Sequence, residues 1–310
     1  VPVKPIELAG KKILITGPTG QVALPVVAHY AAIADVFALA RFSKAEDRIK
    51  IEQLGATVIQ ADLAKPETLD VIPDDIDYVM NFAVVKSGDF DYDLAANAEG
   101  VGHLMRRCHN ASGFLHSSST AVYEYAGHEP RAEDAPLGDN HRVMFPTYSI
   151  SKIAAETVCR FVAHSEGIPT TIARLSVPYG DNGGWMYFHL LMMQQGIPIE
   201  LHPDQPNDYN PLHVDDYIEK IPYLLAAASA EVTTVNFGGS QQVSIEDWCA
   251  FLGDLTGLKP VFTYNEKAFG SLAIDTEKMH SLIGPTRVDW RDGIRSLVEN
   301  LAPELLKTEP

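Results

Sequence analysis

The chain has 310 residues, and 24 Lys and Arg against 41 Asp and Glu give it a formal net charge of −17. This acidic balance argues against a nucleic-acid backbone or an anionic membrane surface as the main binding partner. The length allows one doubly wound domain with an appendage or two modest domains, and we favour the first.

The three cysteines, Cys108, Cys159 and Cys249, are scattered and are not at metal-ligand spacing. Their number and spacing predict neither a disulfide framework nor a metal site, and they fit a reducing cytoplasm. The first residues lack a long apolar core, and no later stretch of 18 apolar residues could span a bilayer. We therefore expect a soluble, cytoplasmic protein.

The first predicted strand, Ile13 to Thr16, leads directly into the turn Gly17-Pro-Thr-Gly-Gln-Val-Ala23, which opens a helical stretch. Glycines allow a tight turn and let backbone N–H groups approach a pyrophosphate at the helix N-terminus, while a small Ala23 allows close packing. A simple strand-to-helix turn is the alternative. The dinucleotide hypothesis predicts cofactor contacts from Gly17, Thr19, Gly20, Gln21 and Val22.

The second predicted strand, Val36 to Ala40, is followed by Arg41 and Ser43, where a carboxylate would bind the adenosine ribose. A guanidinium there would pair with a 2′-phosphate, so the sequence favours NADP(H) over NAD(H). The alternatives are an Arg41 that is solvated, or one that stacks on the adenine of either cofactor.

Short β-branched or apolar runs continue to alternate with helical patterns up to about Ser176, which predicts a parallel sheet with helices on both faces. The further predicted strands are Thr57 to Ile59, Tyr78 to Met80, Phe114 to Ser117 and Thr170 to Ala173.

The pair Tyr148 and Lys152 lies downstream of the run Ser117-Ser-Ser119. Four-residue spacing puts the phenol and the ammonium on one helix face, so the positive charge favours ionisation of the tyrosine. A tyrosine so placed can pass protons while a nicotinamide carries the hydride. Taken alone, the pair also fits an ordinary amphipathic helix with Tyr148 packed inward.

Beyond Gly180 the alternation stops. A further strand is predicted at Thr233 to Phe237, and a helix starts at Ser244 with a variant capping box that ends at Asp247. We expect a dinucleotide-binding domain over residues 1–180, completed by roughly residues 213–237, and a smaller, partly interleaved substrate-binding region over 181–310.

Together these features resemble the extended short-chain dehydrogenase/reductase family, which includes nucleotide-sugar epimerases and dehydratases. The similarity covers most of the chain and includes, in the expected order, Asp62-Leu63, Asn81-Phe-Ala83, Asn97 with Gly100, Val122-Tyr123, Glu133-Asp134, Lys152 with Glu156, Arg174 to Gly180, and His213-Val-Asp-Asp216. The resemblance implies a doubly wound α/β Rossmann fold and a homodimer built from the stretches near Asn97 to Cys108 and Tyr148 to Ala163.

The resemblance also implies roles for individual residues. Ser119 would bind the reacting oxygen, Tyr148 would exchange its proton, and Lys152 would hold the ribose hydroxyls and tune Tyr148. Further cofactor contacts are implied for Asp62, Leu63, Phe82, Ala83, Val84, Lys86, Asn97, Ser117, Leu175 and Val177.

Three departures from the family pattern narrow the substrate. Ser119 is followed by Thr120-Ala121 rather than by the acidic pair typical of dehydratases, so dehydration is disfavoured. Val177 stands where nucleotide-sugar enzymes have an Asn. Between Arg174 and Lys259 the only formal cation is Lys220, so a diphosphate would meet little compensating charge and a neutral substrate is favoured.

The segment after Gly184 is rich in aromatic side chains and methionines, which suits an apolar ligand or, alternatively, core or dimer packing. The predicted substrate contacts are Ser119, Tyr179, Trp185, Phe188 and Met192. No metal is predicted, because the histidines in this half are not spaced as ligands.

The leading hypothesis is an NADP(H)-dependent oxidoreductase that interconverts a carbonyl and an alcohol on a small, uncharged, rather apolar substrate. The alternative is a nucleotide-sugar epimerase of the same family with tightly held NAD(P). A third hypothesis, from a different class, is an NADP(H)-sensing protein without turnover.

Overall fold

The computed structural model describes residues 2–307. Its centre is a sheet of seven parallel strands, most of which are built on short runs of apolar or β-branched residues. Six strands come from the first 175 residues: β1 Lys12–Thr16, β2 Asp35–Ala40, β3 Thr57–Gln60, β4 Tyr78–Asn81, β5 Gly113–Ser119 and β6 Thr170–Leu175. Every strand predicted from the sequence is present.

Helices connect these strands on both faces of the sheet. They are α1 Ala23–Ala31, α2 Ala45–Gln53, α3 Phe90–Leu94, α4 Gly100–Arg107 and α5 Tyr148–Glu166, with a π-helical turn at Ala95–Glu99 and 3-10 turns at Pro66–Val71 and Thr120–Val122. This is the predicted Rossmann-type α/β fold.

Four short strands and two helices come between β6 and the seventh strand of the large sheet. These are β7 Pro178–Tyr179, α6 Trp185–Gln195, β10 Leu212–His213 and α7 Val214–Ala226, with β8 Ile199–Leu201 and β9 Asp208–Tyr209 between α6 and β10. The seventh strand of the large sheet is β11 Thr233–Phe237, which pairs with β6 and gives the order β11-β6-β5-β4-β1-β2-β3.

The remainder of the chain comprises β12 Val243–Ser244, α8 Ile245–Thr256, β13 Phe262–Tyr264, α9 Glu277–Ile283, α10 Trp290–Leu301 and a 3-10 turn at Pro303–Leu305. Helix α8 begins as predicted, because the Ser244 side chain accepts a hydrogen bond of 2.9 Å from the backbone N–H of Asp247. None of the helices between residues 2 and 307 is both long enough and apolar enough to cross a membrane.

Apolar side chains form separate clusters. Two of them cover the faces of the large sheet, and a third is built mainly from α6, α8 and α10 around the buried Trp248. The division of the chain into two domains stays a prediction, which the third cluster and the position of β11 support.

Candidate active site

The turn after β1 is closed tightly against the end of β4. Gly17 has a φ of +66°, and a Cβ added to it would lie 2.8 Å from the Cα of Ala83. The Thr16 hydroxyl accepts a hydrogen bond of 3.1 Å from the N–H of Ala83 and donates one of 2.6 Å to Asn81. Only glycine fits this conformation and this space, so the turn is shaped as a backbone cradle.

The second half of the chain also holds this turn in position. The Asn182 amide donates to the carbonyl of Gln21 at 2.7 Å, and the Tyr217 hydroxyl donates to the carbonyl of Val22 at 3.1 Å. Thr19, Gly20 and Gln21 remain exposed. A cradle with an exposed outer side and a fixed inner side fits the pyrophosphate of a dinucleotide.

The residues predicted to lie at the adenosine end are at the edge formed by β2 and β3. Arg41 is exposed and donates a hydrogen bond of 2.6 Å to the hydroxyl of Tyr92, and Ser43 is also exposed. The Asp62 carboxylate accepts from the N–H of Ala64 at 3.0 Å, and Leu63 packs closely on Gly100. Asp62 and Leu63 therefore have structural partners of their own.

The catalytic candidates meet at the carboxyl end of β5. Ser119 is the last residue of that strand, and Tyr148 and Lys152 lie on the first two turns of α5. The Ser119 hydroxyl lies close to the Tyr148 phenol and acts to lower its pKa, and the same oxygen accepts a hydrogen bond of 3.1 Å from the N–H of Ala121. Lys152 is only 4% exposed, and its Nζ donates to the carbonyl of Ser117 at 2.7 Å.

The electrostatics of this group differ from the sequence-based expectation that Lys152 promotes ionisation of Tyr148. Burial raises the pKa of Tyr148, and the Ser119 hydroxyl opposes that rise. Burial also lowers the pKa of Lys152 to about 8. The difference arises because the Lys152 ammonium is directed to the Ser117 carbonyl and both side chains are removed from water.

A second lysine lies beside the phenol. Lys86 Nζ is 4.7 Å from the ring centroid of Phe145 and 5.3 Å from that of Tyr148, and burial lowers the pKa of Lys86. Asn97 donates to the carbonyl of Val85 and accepts from its N–H, each at 2.7 Å. Asn97 thus holds the backbone next to Lys86, and its contact with a cofactor stays a prediction.

Asp93, which sequence reasoning missed, anchors the same loop. Its carboxylate is fully buried and accepts hydrogen bonds from the N–H groups of Ser87 and Gly88 and from the hydroxyls of Ser87 and Thr147. Burial alone would raise the pKa of Asp93, but these donors lower it. Because Thr147 precedes Tyr148, Asp93 links the Lys86 loop to the start of α5.

Four of the predicted cofactor residues, Val22, Phe82, Ser117 and Leu175, line one small apolar hollow above the sheet. The other residues that line it are Leu115, Ala173, Tyr217, Ile221 and Phe237. The hollow has a volume of only about 10 Å³, which is room for one water molecule, so contact of these residues with a nicotinamide stays a prediction. Val84 is 39% exposed, and Val177, whose φ is +29°, packs toward the α6–α8–α10 cluster.

A larger cleft of about 300 Å³ lies on the other side of the catalytic group. Its lining comes from two loops and from nearby aromatic residues: Tyr125, Asp139, Asn140, His141, Val143, His202, Tyr209 and residues 266–272. The ring of His141 is 5.9 Å from that of Tyr148, so the cleft opens next to the catalytic phenol. No three His, Cys, Asp or Glu side chains within residues 2–307 are grouped as a metal site.

The predicted substrate residues are spread over several environments. Trp185 stacks on Phe269 with 6.0 Å between ring centroids, which brings it next to the cleft. Phe188 is 60% exposed, whereas Tyr179 is buried and Met192 packs against the α6–α8–α10 cluster. Neither Phe188, Tyr179 nor Met192 lines the cleft, and their contact with substrate stays a prediction.

Little in the amino-acid sequence indicates the cleft residues, because most of them come from irregular loops without periodicity. A Phe-Pro dipeptide just before Tyr148 and the glycine-flanked Phe269 were the available signals. The count of cations between Arg174 and Lys259 also missed Lys267, which lines the cleft from beyond that window.

The seven-stranded parallel sheet with helices on both faces defines a Rossmann-type fold, and a family-model match identifies the chain as an NAD-dependent enzyme. The model of the NAD dependent epimerase/dehydratase family matches residues 13–238, and the chain belongs to that family. No match was found among curated protein sequences.

Solved structures with the same fold include two epimerases at 20% identity. UDP-glucuronic acid 4-epimerase from Bacillus cereus, in complex with UDP-glucuronic acid and NAD, has a TM-score of 0.79 over 94% of this chain and 99% of that one. UDP-glucose 4-epimerase from Thermotoga maritima, with UDP-glucose, has a TM-score of 0.79 over 95% and 99%.

A dTDP-glucose 4,6-dehydratase from Streptomyces venezuelae, a double mutant with NAD bound, is 19% identical and has a TM-score of 0.77 over 93% of this chain and 95% of that chain. At these identities, the three structures establish the fold alone.

Proposed function

We propose that this enzyme interconverts a hydroxyl and a carbonyl group on a substrate carbon, with Ser119, Tyr148 and Lys152 as its catalytic residues. The observation that carries the proposal is that the Ser119 hydroxyl, the Tyr148 phenol and the buried Lys152 come together at the end of β5. The cleft opens beside the Tyr148 phenol, where a substrate would meet these groups.

Each residue has a distinct task. The Ser119 hydroxyl orients the substrate oxygen, and the Tyr148 oxygen takes the proton of the substrate hydroxyl or returns it. Lys152, whose ammonium is within reach of the Ser117 carbonyl, fixes the ribose side of the site and supplies positive charge. A dinucleotide bound on the Gly17 cradle supplies the hydride acceptor or donor.

For the net reaction, we propose epimerisation of a nucleotide sugar with retained NAD(P). Family membership and the sugar-nucleotide complexes of the neighbouring structures support this reading over the carbonyl reductase that the sequence analysis favoured. Lys267 at the cleft also adds a cation that the sequence analysis had not counted.

Net reduction of an uncharged carbonyl compound is the second candidate. It is favoured by the partners of Lys220, the only cation between Arg174 and Lys259. Lys220 is buried, pairs with Glu219 at 3.4 Å, and lies over the ring of Tyr223, so it does not line the cleft.

The two candidates are separated by their cofactor balance. Purified protein is mixed with UDP- or dTDP-sugars without added cofactor, and separately with NADPH or NADH and a panel of ketones. Epimerisation gives a new sugar isomer without net change in absorbance at 340 nm, whereas a reductase consumes external cofactor. Consumption of NADPH without any sugar isomerisation would overturn the epimerase proposal.

For the cofactor, we propose NADP(H) as the preferred form, on the exposed guanidinium of Arg41 at the end of β2. Arg41→Asp should reverse the preference, because a carboxylate accepts from ribose hydroxyls and repels a 2′-phosphate. Equal affinities of the unchanged protein for NAD⁺ and NADP⁺, measured by calorimetry, would contradict the proposal.

A further inference from the structure

The cleft beside Tyr148 has an aromatic wall. The rings of His141 and Phe269 stack with centroids 4.2 Å apart and planes 23° from parallel, and Phe269 in turn stacks on Trp185 with planes 2° from parallel. Burial lowers the pKa of His141 to about 4, so its ring is neutral near neutral pH. Because these rings cover one another's faces, an occupant of the cleft would pack beside an uncharged aromatic stack.

Most polar side chains of the cleft already have partners within the protein. The hydroxyl of Tyr209 donates to the carbonyl of Gly270 at 2.8 Å, and that of Tyr125 donates to Asp204 at 3.2 Å. Ser271 donates to the carbonyl of Pro206 at 2.6 Å, and the Asn140 amide donates to the carbonyl of Tyr123 at 2.7 Å. These groups therefore determine the shape of the cleft and do not select its ligand.

Among the solvent-shielded side chains that line the cleft, Asp139 is the exception. Both of its carboxylate oxygens are shielded from solvent, and neither accepts a hydrogen bond from any residue between 2 and 307. Burial raises the pKa of Asp139, and the charge of Arg142 opposes that rise. A shielded carboxylate without donors is costly, so an occupant that brings hydrogen-bond donors gains affinity from it.

The surrounding charges limit which donors are suitable. Lys86 stands over the Tyr148 ring and depresses the pKa of His141, and Lys267 lines the cleft, so a cationic occupant would face two ammonium groups. An anionic substituent near Asp139 would meet like charge. A pair of neutral hydroxyls satisfies the carboxylate without either conflict.

We infer that Asp139 is a specificity-determining residue, which accepts hydrogen bonds from the hydroxyls of an uncharged sugar ring packed beside the His141–Phe269 stack and rejects a uronic acid there. The inference rests on the proposed function, because it names the sugar class that the same site takes. It makes this chain differ in preference from the structurally similar UDP-glucuronic acid 4-epimerase.

The test is binding, measured by calorimetry on cofactor-loaded protein with UDP-glucose, UDP-glucuronic acid and UDP. Ligand-observed NMR with methyl glucoside and methyl glucuronide forms a second arm that needs no nucleotide. The unchanged protein should bind the neutral member of each pair at least about tenfold more tightly, a difference of about 1.4 kcal/mol. Asp139→Asn should reduce that ratio to within about threefold, since it removes the charge but keeps the shape.

Glu266→Gln is the matched control, because it removes an exposed carboxylate from the same cleft and should leave the ratio unchanged through solvent screening. Thermal melting checks that each variant folds, and Asp139→Ser replaces Asp139→Asn if the latter does not. Equal binding of both sugar classes, no binding of either in both arms, or an unchanged ratio in the Asp139 variant overturns the inference. The proposed function can fail separately from this inference. In that case the protein would show no turnover, but it would still bind the neutral sugar more tightly than the uronic acid.

Discussion

At the scale of single residues, the centre of the site is the phenol of Tyr148, which lies between Ser119, Lys86 and the ring of His141. The phenol ring is thus bordered by a lysine ammonium and by the rings of His141 and Phe145, and the Ser119 hydroxyl lies close to the phenol. Proton transfer therefore depends on the phenol oxygen of Tyr148. Removing this one atom tests the mechanism without disturbing the surrounding packing.

Tyr148→Phe should lower the turnover rate by about 10²- to 10⁴-fold, because it removes the proton-transferring group. Cofactor binding should change little, since Lys152 and the Gly17 cradle are untouched. Turnover and cofactor affinity measured on the same preparation check this, and Tyr187→Phe on α6 serves as the control. Undiminished turnover in the Tyr148 variant would contradict the assigned mechanism.

The buried Lys152 predicts a specific pH dependence of stability in the protein without cofactor. Its pKa is lowered from 10.5 to about 8, so the unfolded chain binds its proton more tightly than the folded chain does. Below about pH 8, the folded protein therefore carries the whole free-energy cost of burying the ammonium. This cost is lost as the pH rises from about 8 to 10.5.

The free energy of unfolding of the unchanged protein relative to Lys152→Met should accordingly rise across that window, by at most about 3 kcal/mol. Denaturant titrations of both proteins at several pH values measure the difference, in which contributions from other groups cancel. A difference that falls with pH would show that Lys152 is stabilised as an ammonium.

At the scale of elements, the turn from β1 into α1 depends on glycine twice, through its φ of +66° and through its contact with Ala83. Gly17→Ala should weaken dinucleotide binding at least about tenfold and lower the melting temperature, because both backbones cannot keep their positions. Gly10→Ala is a close control, since Gly10 has a φ of +67° and nothing within 4 Å of an added Cβ. Similar losses in both variants would show that conformation alone, and not the close approach, is responsible.

Helices α4 and α5 are the stretches proposed to form a homodimer. Their partner-facing side would include Phe161, which is 66% exposed, and Ile150, which is 36% exposed. Phe161→Glu should shift the protein toward monomer in analytical ultracentrifugation, because a charge would replace apolar contact area at the interface. Phe188→Glu, at an equally exposed phenylalanine on α6, should not. A monomeric unchanged protein would refute the dimer.

The elements that the sequence predicted and those that it did not differ in a physical way. Runs such as Ile13 to Thr16 and Thr233 to Phe237 carry their own signal, since short runs of β-branched and apolar residues are typical of strands in a parallel sheet. Tyr148 and Lys152 were found because their spacing is local. Asp139 and Phe269 were not, because they lie 130 residues apart on irregular loops, and their proximity follows only from how α6, α8 and the sheet pack.

At the scale of the whole molecule, a buried ion pair connects the large sheet to the loops that follow it. Arg174 on β6 donates to Glu156 on α5 through two nitrogens, at 2.9 and 2.8 Å, and also to the carbonyl of Glu133 at 2.9 Å. Glu156 further accepts from the hydroxyl of Ser118 at 2.6 Å, next to the catalytic Ser119. The ion pair therefore helps to hold Ser118, and with it the end of β5, in position.

Arg174→Leu should destabilise the protein by about 3–5 kcal/mol, because it leaves Glu156 buried with weaker compensation. Adding Glu156→Gln to that variant should recover part of the loss. Chemical denaturation measures both, and Arg48→Leu, in an exposed pair with Glu52, should change stability by less than about 1 kcal/mol. Additive losses in the double variant would mean that the two charges do not depend on each other.

The strand β11 reaches its place beside β6 only after more than fifty intervening residues. During translation, the growing polypeptide consequently exposes an open backbone edge on β6 until residue 237 has left the ribosome. Nascent chains arrested near residue 230 should recruit chaperones and aggregate when released, whereas chains arrested well past 237 should do neither.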